Sequence, residues 1–411
     1  MTVDIAILGT VVALALLFEL TNGWNDAANA IATVVSTRVL KPRTAVLLSA
    51  AFNVAGALLS TKVAATVSGM VNAQMISPSA VAGAMVAGAL WNAIMTRLGM
   101  PISASHALLG SVAGASVAVA GVEVLKWSAL TKALNGLWSS PLIGLVIAFL
   151  LTVPLLKMST RPRLWLGGAI VVALAYSYKP WLAGVTLLFL AAVVLQLRQR
   201  QGRDEDSHWR MYQLVSSSLM SLAHGTNDAQ KVMGVITMAL ISGQSLSEGS
   251  APPLWVILAC AITMGIGTYM GGWQVVKTLG EELTDLRPIH GFAAETAGAA
   301  VLSTAAHLGV PVSTTHTITG SIMGVGAAKS EVNWRVAGKI VAAWVFTIPV
   351  TFIVGFILSR SIAQFGLWIM IGVSLAGMAL FGILHWRQAR GRRPAGAKEQ
   401  IAVSKYSESD T

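Results

Sequence analysis

The chain has 411 residues, of which 55% are hydrophobic and only 11% are charged, and its mean hydropathy is +0.70. Soluble domains usually carry about 25% charged residues, so this composition excludes a soluble globular protein and predicts an all-α polytopic membrane protein embedded in a lipid bilayer. The net charge of +11 does not indicate nucleic-acid binding, because basic residues accumulate in the cytoplasmic loops of membrane proteins.

The uncharged stretches form two similar series of helical segments. The first series comprises 5–37, 44–70, a hairpin of 79–97 with 104–121, and then 142–156 and 164–176. The second comprises 211–241, 253–276, a hairpin of 291–306 with 313–327, and then 337–358 and 366–384. One further segment, 181–197, connects them. We therefore expect about nine full spans plus two helical hairpins, which is about 10–13 hydrophobic segments in all.

The segment count also predicts how the two halves are oriented. Each half has the same even number of segments, so the single connecting segment makes the second half enter the membrane from the opposite face. The result is an inverted repeat, which is the arrangement that supports alternating access. We assign 1–176 to the first repeat, 177–210 to a connecting span and charged cytoplasmic loop, 211–386 to the second repeat and 387–411 to a disordered, basic and polar tail.

One motif occurs in each half, inside a long apolar segment. Residues 23–27 read Gly-Trp-Asn-Asp-Ala and residues 225–229 read Gly-Thr-Asn-Asp-Ala. Carboxylates at membrane depth are costly and usually pair with a cation or a proton, so Asp26 and Asp228 are candidate cation-coupling residues. Because both segments exceed the bilayer thickness, we also predict broken helices, with breaks at Asn22–Gly23 and His224–Gly225.

Four further polar residues of these segments carry hydrogen-bond donors. Asn25 and Asn227 precede the two aspartates, and Asn29 of the first copy becomes Lys231 in the second. Amide and ammonium groups suit an oxyanion, so these four residues are candidate anion-binding residues. The role of His224, which lies just before the second motif, stays open.

The tips of the two hairpins repeat as well. Residues 101–106 read Pro-Ile-Ser-Ala-Ser-His and residues 311–316 read Pro-Val-Ser-Thr-Thr-His. Proline followed by serine or threonine marks a helix start, and two facing helix N-termini direct N–H groups at a small anion such as phosphate or sulfate. The candidate residues are Ser103, Ser105, His106, Ser313, Thr314, Thr315 and His316. The two histidines either contact the anion and move protons, or are packed residues with a structural role.

One buried carboxylate has no counterpart in the other half. Glu295 aligns with Met85, and a lone carboxylate inside an apolar segment is a third candidate for cation coupling. We expect no cofactor and no resident metal ion.

At these residues the chain resembles the inorganic phosphate transporter (Pit) family, and in particular its bacterial low-affinity branch. The motifs are Asn-Asp-Ala-Ala-Asn-Ala at 25–30, His-Gly-Thr-Asn-Asp-Ala-Gln-Lys at 224–231, and the two Pro-x-Ser-x-x-His tips. The resemblance implies secondary-active phosphate import across a bacterial cytoplasmic membrane, driven by H⁺ or Na⁺, with the Asn-Asp segments and hairpin tips as the site. It also implies that phosphate enters either alone or as a neutral complex with a divalent metal.

One departure from the family favours protons over sodium. Sodium-coupled animal members have a glutamate in a Phe-Glu-Thr-x-Gly stretch, whereas residues 52–56 read Phe-Asn-Val-Ala-Gly here. Fewer buried carboxylates leave fewer oxygen ligands for a dehydrated Na⁺ ion, whereas a proton needs only one carboxylate. We therefore expect proton coupling, with sodium coupling as the alternative.

Three other functions fit parts of the pattern. A carrier of sulfate or another oxyanion would use the same helix N-termini, and a passive channel would conduct without an ion gradient. An intramembrane hydrolase would use Ser103 or Ser105 with His106, yet the spacing gives the base no clear line to the hydroxyl, and no hydrolase motif is present. We therefore expect no enzymatic activity. The sequence leaves open whether the protein forms a homodimer.

Overall fold

The computed structural model describes residues 5–178, 183–184, 186–188, 191, 206–366, 368 and 372. The chain divides into two compact units, Met1–Arg360 and Ser361–Thr411, and the candidate site lies within the first. The predicted connecting region 177–210 and the final segment 366–384 lie mostly outside the described residues, and the tail 387–411 lies wholly outside them.

The first half consists of helices joined by short loops. In order they are α1 (Ile5–Ser36), α2 (Pro42–Ala57), α3 (Lys62–Ser68), α4 (Pro78–Arg97), α5 (Ala104–Ala120), α6 (Trp127–Lys157) and α7 (Thr160–Tyr178). Single 3₁₀ turns occur at Ala73–Met75 and Val122–Val124, and an isolated bridge pairs Val71 with Leu125. The first predicted hairpin is confirmed, since α4 and α5 have nearly the predicted bounds.

The second half follows the same order of elements. Its helices are α8 (Asp206–Ser242), α9 (Leu254–Met270), α10 (Trp273–Lys277), α11 (Pro288–His307), α12 (Thr314–Lys329) and α13 (Trp334–Phe365). A π-helical turn, Thr278–Glu282, follows α10 directly. In each half a long helix is followed by a bent pair, a hairpin and another long helix, as a repeat requires. The inverted orientation of the second repeat stays a prediction.

Several helices are long and apolar enough to cross a membrane. Among the described residues these are α1, α4, α6 and α13, with up to six spans if the bent pairs α2–α3 and α9–α10 each count as one. Large apolar side chains such as Leu142, Leu150 and Phe346 are exposed on α6 and α13, as lipid contact requires. A multi-pass helical membrane protein is therefore confirmed, whereas the count of about nine spans stays a prediction.

The start of α6 differs from the prediction. The uncharged stretch placed this segment at 142–156, but the helix begins at Trp127 and contains both Pro141 and Pro154. Proline inside a membrane helix is tolerated when neighbouring helices and side chains satisfy the freed backbone groups. The helix therefore continues through the expected boundary.

The positions of the broken helices also differ from the prediction. Helices α1 and α8 run unbroken through Asn22–Gly23 and His224–Gly225, so the predicted breaks there are wrong. The breaks occur in the next element of each half: α2 and α3 meet at 73°, and α9 and the segment Trp273–Glu282 meet at 65°. Each half thus contains a broken helix beside a long continuous one.

Close helix packing explains the two glycines that suggested the breaks. A Cβ atom at Gly23 would lie 2.8 Å from the carbonyl oxygen of Met264 on α9, and one at Gly225 would lie 2.1 Å from the carbonyl oxygen of Asn53 on α2. Glycine is required because any side chain would push the backbones apart. The long helix of each half therefore packs against the bent helix of the other half.

Each hairpin is also held by close packing against a helix of the other half. A Cβ at Gly110 of α5 would lie 2.6 Å from the carbonyl oxygen of Ile348 on α13, and one at Gly320 of α12 would lie 2.1 Å from that of Pro141 on α6. The second helix of each hairpin thus contacts the last long helix of the other half. These contacts between the halves hold both hairpin tips next to the centres of α1 and α8.

Candidate functional site

The two aspartates of the repeated motif meet at the tip of the second hairpin. The Thr314 hydroxyl lies 2.7 Å from Oδ2 of Asp228 and 3.4 Å from Oδ2 of Asp26, so it bridges the two carboxylates. Both aspartates are 1% exposed. The structure thus brings together the symmetric carboxylates that the sequence identified, although they come from α1 and α8, about 200 residues apart in the chain.

The sequence at the hairpin tips explains why hydroxyl groups point at the carboxylates. Ser313 caps α12 by accepting a hydrogen bond from the His316 N–H at 3.1 Å, and Ser103 caps α5 through the His106 N–H at the same distance. A capping serine fixes the first turn of its helix. Thr314, the first residue of α12, therefore projects its hydroxyl from the helix start. Both capping serines, which the sequence assigned to the anion, have this local structural role.

A second set of hydrogen bonds surrounds Asp26. The Thr315 hydroxyl donates to Oδ1 of Asp26 at 2.9 Å, and the Asn29 amide donates to the hydroxyl oxygens of Thr315 at 2.9 Å and of Thr314 at 3.3 Å. Asn29 lies one helical turn after Asp26 on α1, so both side chains face the hairpin tip. The predicted residues of the first long helix and the second hairpin therefore form one connected network.

Lys231 links this network to the first hairpin. Its ammonium group hydrogen-bonds to Oδ1 of Asp228 and lies 2.5 Å from the Ser105 hydroxyl, while the residue is 3% exposed. The Ser105 hydroxyl also lies 3.3 Å from the Val312 carbonyl oxygen, so the two hairpin tips adjoin each other. The Asn29-to-Lys231 difference between the repeats thus places a buried cation between the Asp228 carboxylate and the tip of the first hairpin.

His224 belongs to the same network, and the sequence had left its role open. Its Nε2 lies 3.3 Å from Oδ2 of Asp228, and its Nδ1 lies 3.0 Å from the side-chain oxygen of Asn53 on α2. The spacing of four residues between His224 and Asp228 was the available signal, because it places both on one face of a helix. Asn53 could not be paired with His224 from the sequence, since this contact joins two halves of the chain.

The two motif asparagines have different surroundings. Asn25 donates to the Thr96 hydroxyl at 2.8 Å, whereas neither amide atom of the buried Asn227 has a hydrogen-bond partner among the described residues. The repeat explains the difference, because Ala306 takes the place of Thr96 in the second hairpin. An unpartnered buried amide retains its full capacity to bind a polar group.

The two tip histidines lie next to each other. The ring centroids of His106 and His316 are 4.4 Å apart, and the His316 ring lies 3.8 Å from that of Trp344. His316 also approaches the Leu137 carbonyl oxygen at 3.4 Å through Nδ1. Among the described residues neither imidazole hydrogen-bonds to the aspartates or to the ammonium group. Their contacts favour packing, and anion contact stays a prediction.

Glu295 forms a separate polar cluster. The Thr33 hydroxyl donates to it at 2.6 Å, the Gln213 amide at 3.0 Å, and the Ser216 hydroxyl donates to its other oxygen. None of these partners belongs to the network around the two aspartates. Three donors already satisfy this carboxylate, so the structure does not bring Glu295 into the main site, and its part in cation coupling stays a prediction.

The main site also contains a group of atoms with the composition of a metal site. Asp26, His224 and Asp228 each offer a ligand atom, and these atoms lie within 4.8 Å of one another. The Lys231 ammonium and the Thr314 hydroxyl already occupy oxygens of Asp228. A divalent cation there would lie beside an ammonium group, so these residues do not fit a resident metal ion.

Known proteins resemble this chain over most of its length. The sequence profile of the phosphate transporter family matches residues 22–355. A probable low-affinity inorganic phosphate transporter of Rhizobium meliloti (strain 1021) is 40% identical over 352 residues, which are 85% of this chain and 94% of that protein. A protein of the same description from Mycobacterium bovis (strain ATCC BAA-935 / AF2122/97) is 41% identical over 359 residues, covering 86% of this chain and 77% of its own.

A solved structure of another protein matches the fold of this chain. The structure described as "The sodium-dependent phosphate transporter" matches with a TM-score of 0.80 and 22% sequence identity, covering 88% of this chain and 100% of that one. The helical architecture deduced from the sequence is therefore confirmed. The region matched by the family profile contains both Asn-Asp motifs, both hairpin tips and Lys231, and the chain accordingly belongs to the phosphate transporter family.

Proposed function

We propose that this phosphate transporter imports inorganic phosphate across the cytoplasmic membrane of a bacterium by symport with protons. The observation that carries the proposal is the position of Lys231, whose ammonium contacts both the Asp228 carboxylate and the Ser105 hydroxyl at a hairpin tip. A buried ammonium beside hydroxyl donors and helix N-termini recognises a small oxyanion. Phosphate is the anion that the family transports.

Competition between carboxylates and phosphate explains why a cation is needed. The Thr314 and Thr315 hydroxyls and the Lys231 ammonium donate to Asp228 and Asp26. The same donors cannot serve the carboxylates and a phosphate ion at once. A cation that neutralises the carboxylates releases these donors for the anion, so binding of the two ions becomes favourable together.

A proton suits this arrangement better than a metal ion. It neutralises a carboxylate without a metal ion having to be held beside Lys231. Sodium coupling remains the alternative, because buried side-chain oxygens of Glu19, Asn22 and Asn25 on α1 have no hydrogen-bond partner among the described residues. We propose free phosphate as the cargo rather than a metal–phosphate complex, since Lys231 already supplies the positive charge that a metal would bring.

Removing a tip hydroxyl is expected to weaken phosphate binding. Thr314→Val and Thr315→Val each keep the side-chain shape but remove one donor, and a lost hydrogen bond to a charged group costs about 1.5–3 kcal/mol. The apparent affinity for phosphate should fall by about 10- to 150-fold. The measurement is the KM of labelled phosphate uptake, with Thr304→Val as control, because the exposed Thr304 hydroxyl bonds to the Ala300 carbonyl of its own helix. Equal KM values for all three variants would place the anion elsewhere.

The proposal as a whole is tested by uptake of labelled phosphate into proteoliposomes. We expect accumulation under an inward proton gradient in sodium-free buffer, and none with equal pH and no sodium. Excess unlabelled sulfate should leave this uptake largely intact. Accumulation that appears only with a sodium gradient would show that sodium, and not the proton, is the coupling ion. Equal inhibition by unlabelled sulfate and phosphate would indicate a general oxyanion carrier. Uptake that does not depend on any ion gradient would indicate a channel.

A further inference from the structure

His224 lies between an aspartate of the site and an asparagine of another helix. Its Nε2 is 3.3 Å from Oδ2 of Asp228, and its Nδ1 is 3.0 Å from Oδ1 of Asn53. All three side chains are buried. The hydrogen bonds at the Asn53 end of this row of side chains determine where its protons lie.

The orientation of the Asn53 amide is fixed by Thr268 on α9. The Thr268 hydroxyl donates its one proton to the Met264 carbonyl oxygen at 2.9 Å, so it has only lone pairs for Asn53. Asn53 therefore presents its NH₂ group to Thr268, at 2.8 Å, and its oxygen to His224. An amide oxygen accepts hydrogen bonds and cannot donate them.

This orientation determines which nitrogen of His224 carries the proton. Nδ1 must carry a hydrogen atom, because it faces the Asn53 oxygen. In the neutral ring Nε2 is then a bare acceptor facing the Asp228 carboxylate, which is also an acceptor. Two acceptors at this distance repel each other unless a proton lies between them. The arrangement is therefore satisfied only when the His224–Asp228 pair holds one additional proton.

We propose that His224 is the residue that carries the coupling proton, an inference that rests on the proposed proton symport. A proton from the external water binds Nε2, and the resulting imidazolium donates to Asn53 through Nδ1 and to Asp228 through Nε2. Its charge offsets that of Asp228, which weakens the hold of this carboxylate on the Lys231 ammonium and leaves the ammonium a donor for phosphate. After phosphate leaves on the cytoplasmic side, Lys231 returns to Asp228 and the proton on Nε2 passes to water.

Charged groups near this proton act in opposite directions. The Asp228 carboxylate favours it, and the Lys231 ammonium, on the same helix as His224, opposes it. On α1, Asp26 shares the Thr314 hydroxyl with Asp228, and Glu19 interacts electrostatically with both Asp228 and Lys231. Helix α9 contributes the buried thiol of Cys260, which interacts with Glu19, and α2 contributes the neutral Asn53 amide.

Three other helices that pack on α8 contribute the following groups. On α11, Glu295 contacts α8 at Ser216, which is about 12 Å along the helix from His224. On α3, the ammonium of Lys62 lies at the surface and contacts the His307 carbonyl oxygen. From α12 the hydroxyl of Thr314 contacts Asp228. The balance between Asp228 and Lys231 therefore controls whether His224 holds the proton.

The first test is the pH dependence of the KM for phosphate in proteoliposomes without a pH gradient. In the wild type we expect KM to rise as the pH is increased from about 5 to 8, because loss of the proton returns Lys231 to Asp228. In His224→Gln, which cannot be protonated, this component should disappear. Phosphate itself titrates in the same range, but its contribution is identical in every variant and is removed by comparison. His307→Gln is the matched control, because that ring bonds to the Ser303 carbonyl of its own helix, and it should keep the wild-type profile.

A second variant, Asn53→Asp, tests the role of His224 even if His224→Gln fails to fold. Asn53→Asp places a carboxylate where the amide oxygen accepts from Nδ1, and a negative charge stabilises the imidazolium. The midpoint of the KM profile should shift to higher pH by about one to three units, a directional change that a purely structural role would not produce. A midpoint that stays in place or moves to lower pH overturns the proposal, as does a wild-type profile in His224→Gln.

The same preparation separates this inference from the proposed function. Wild-type protein that fails to accumulate phosphate under a proton gradient overturns proton symport and the role of His224 together. Wild-type protein that accumulates phosphate, beside variants whose KM profiles match it, leaves proton symport in place and removes only His224 as the proton carrier.

Discussion

Asp228→Asn is expected to lower gradient-driven phosphate accumulation by about 100-fold or more. This carboxylate accepts hydrogen bonds from Lys231 and Thr314 and faces His224. A neutral amide would leave the buried ammonium without its counter-charge, and breaking a buried charge pair costs about 3–5 kcal/mol, where 1.4 kcal/mol is a factor of ten. The change should also remove the competition through which a proton and phosphate are coupled. Asp26→Asn should act in the same direction, because it removes the charge that accepts from Thr315.

The measurement is labelled phosphate accumulation in proteoliposomes, with the amount of inserted protein determined for each variant. Glu248→Gln is the matched control, since this carboxylate pairs with Lys126 at the surface, where an ion pair contributes about 0–1 kcal/mol. We expect the control to accumulate phosphate within a factor of about two of the wild type. Near-normal accumulation by Asp228→Asn or Asp26→Asn would remove that carboxylate from the coupling mechanism.

Gly225→Ala is expected to have the largest effect on stability. The added Cβ would lie 2.1 Å from the Asn53 carbonyl oxygen, a backbone atom that cannot move away without separating α8 from α2. Overpacking of this kind costs about 1–3 kcal/mol and occasionally more. It would also displace the neighbouring His224 from Asn53, so we expect the thermal unfolding midpoint to fall and transport to be impaired.

The thermal unfolding midpoint of the purified protein in detergent checks this prediction. Gly9→Ala is the control, because nothing lies within 4 Å of a Cβ at that position on α1. Alanine is favoured over glycine inside a helix by about 0.5–1 kcal/mol, so the control should be slightly more stable than the wild type. A wild-type midpoint for Gly225→Ala would mean that α8 and α2 are further apart than the structure places them.

The sequence identified most elements of the fold because hydrophobic length and repeated motifs are local signals. The hairpin α4–α5 was predicted nearly to the residue, since proline and serine mark its helix starts. The helix breaks were misplaced for a physical reason. Gly23 and Gly225 permit close packing between helices, and a single chain gives no sign of which helix approaches. The bend between α2 and α3 occurs at residues 58–61, which contain neither glycine nor proline.

The site was predicted in part, and the limits again follow from non-local contacts. Symmetry of the motifs identified Asp26, Asp228 and the threonines of the second tip, which the structure brings together. The partnership of His224 with Asn53 joins α8 to α2 and leaves no spacing pattern in the chain. Glu295 was grouped with the aspartates because it is a buried carboxylate, but its partners on α1 and α8 form a separate cluster.

Equilibrium binding of labelled phosphate to the purified protein tests the central claim that Lys231 and the hairpin tips form the phosphate site. The comparison uses Lys231→Met and the control Lys62→Met, because the ammonium of Lys62 lies at the surface and contacts the His307 carbonyl. Loss of a charged hydrogen-bond donor costs about 1.5–3 kcal/mol, so Lys231→Met should bind phosphate about 10- to 150-fold more weakly than the wild type, while Lys62→Met binds it equally well. Wild-type affinity in Lys231→Met would show that phosphate binds elsewhere and would contradict the account.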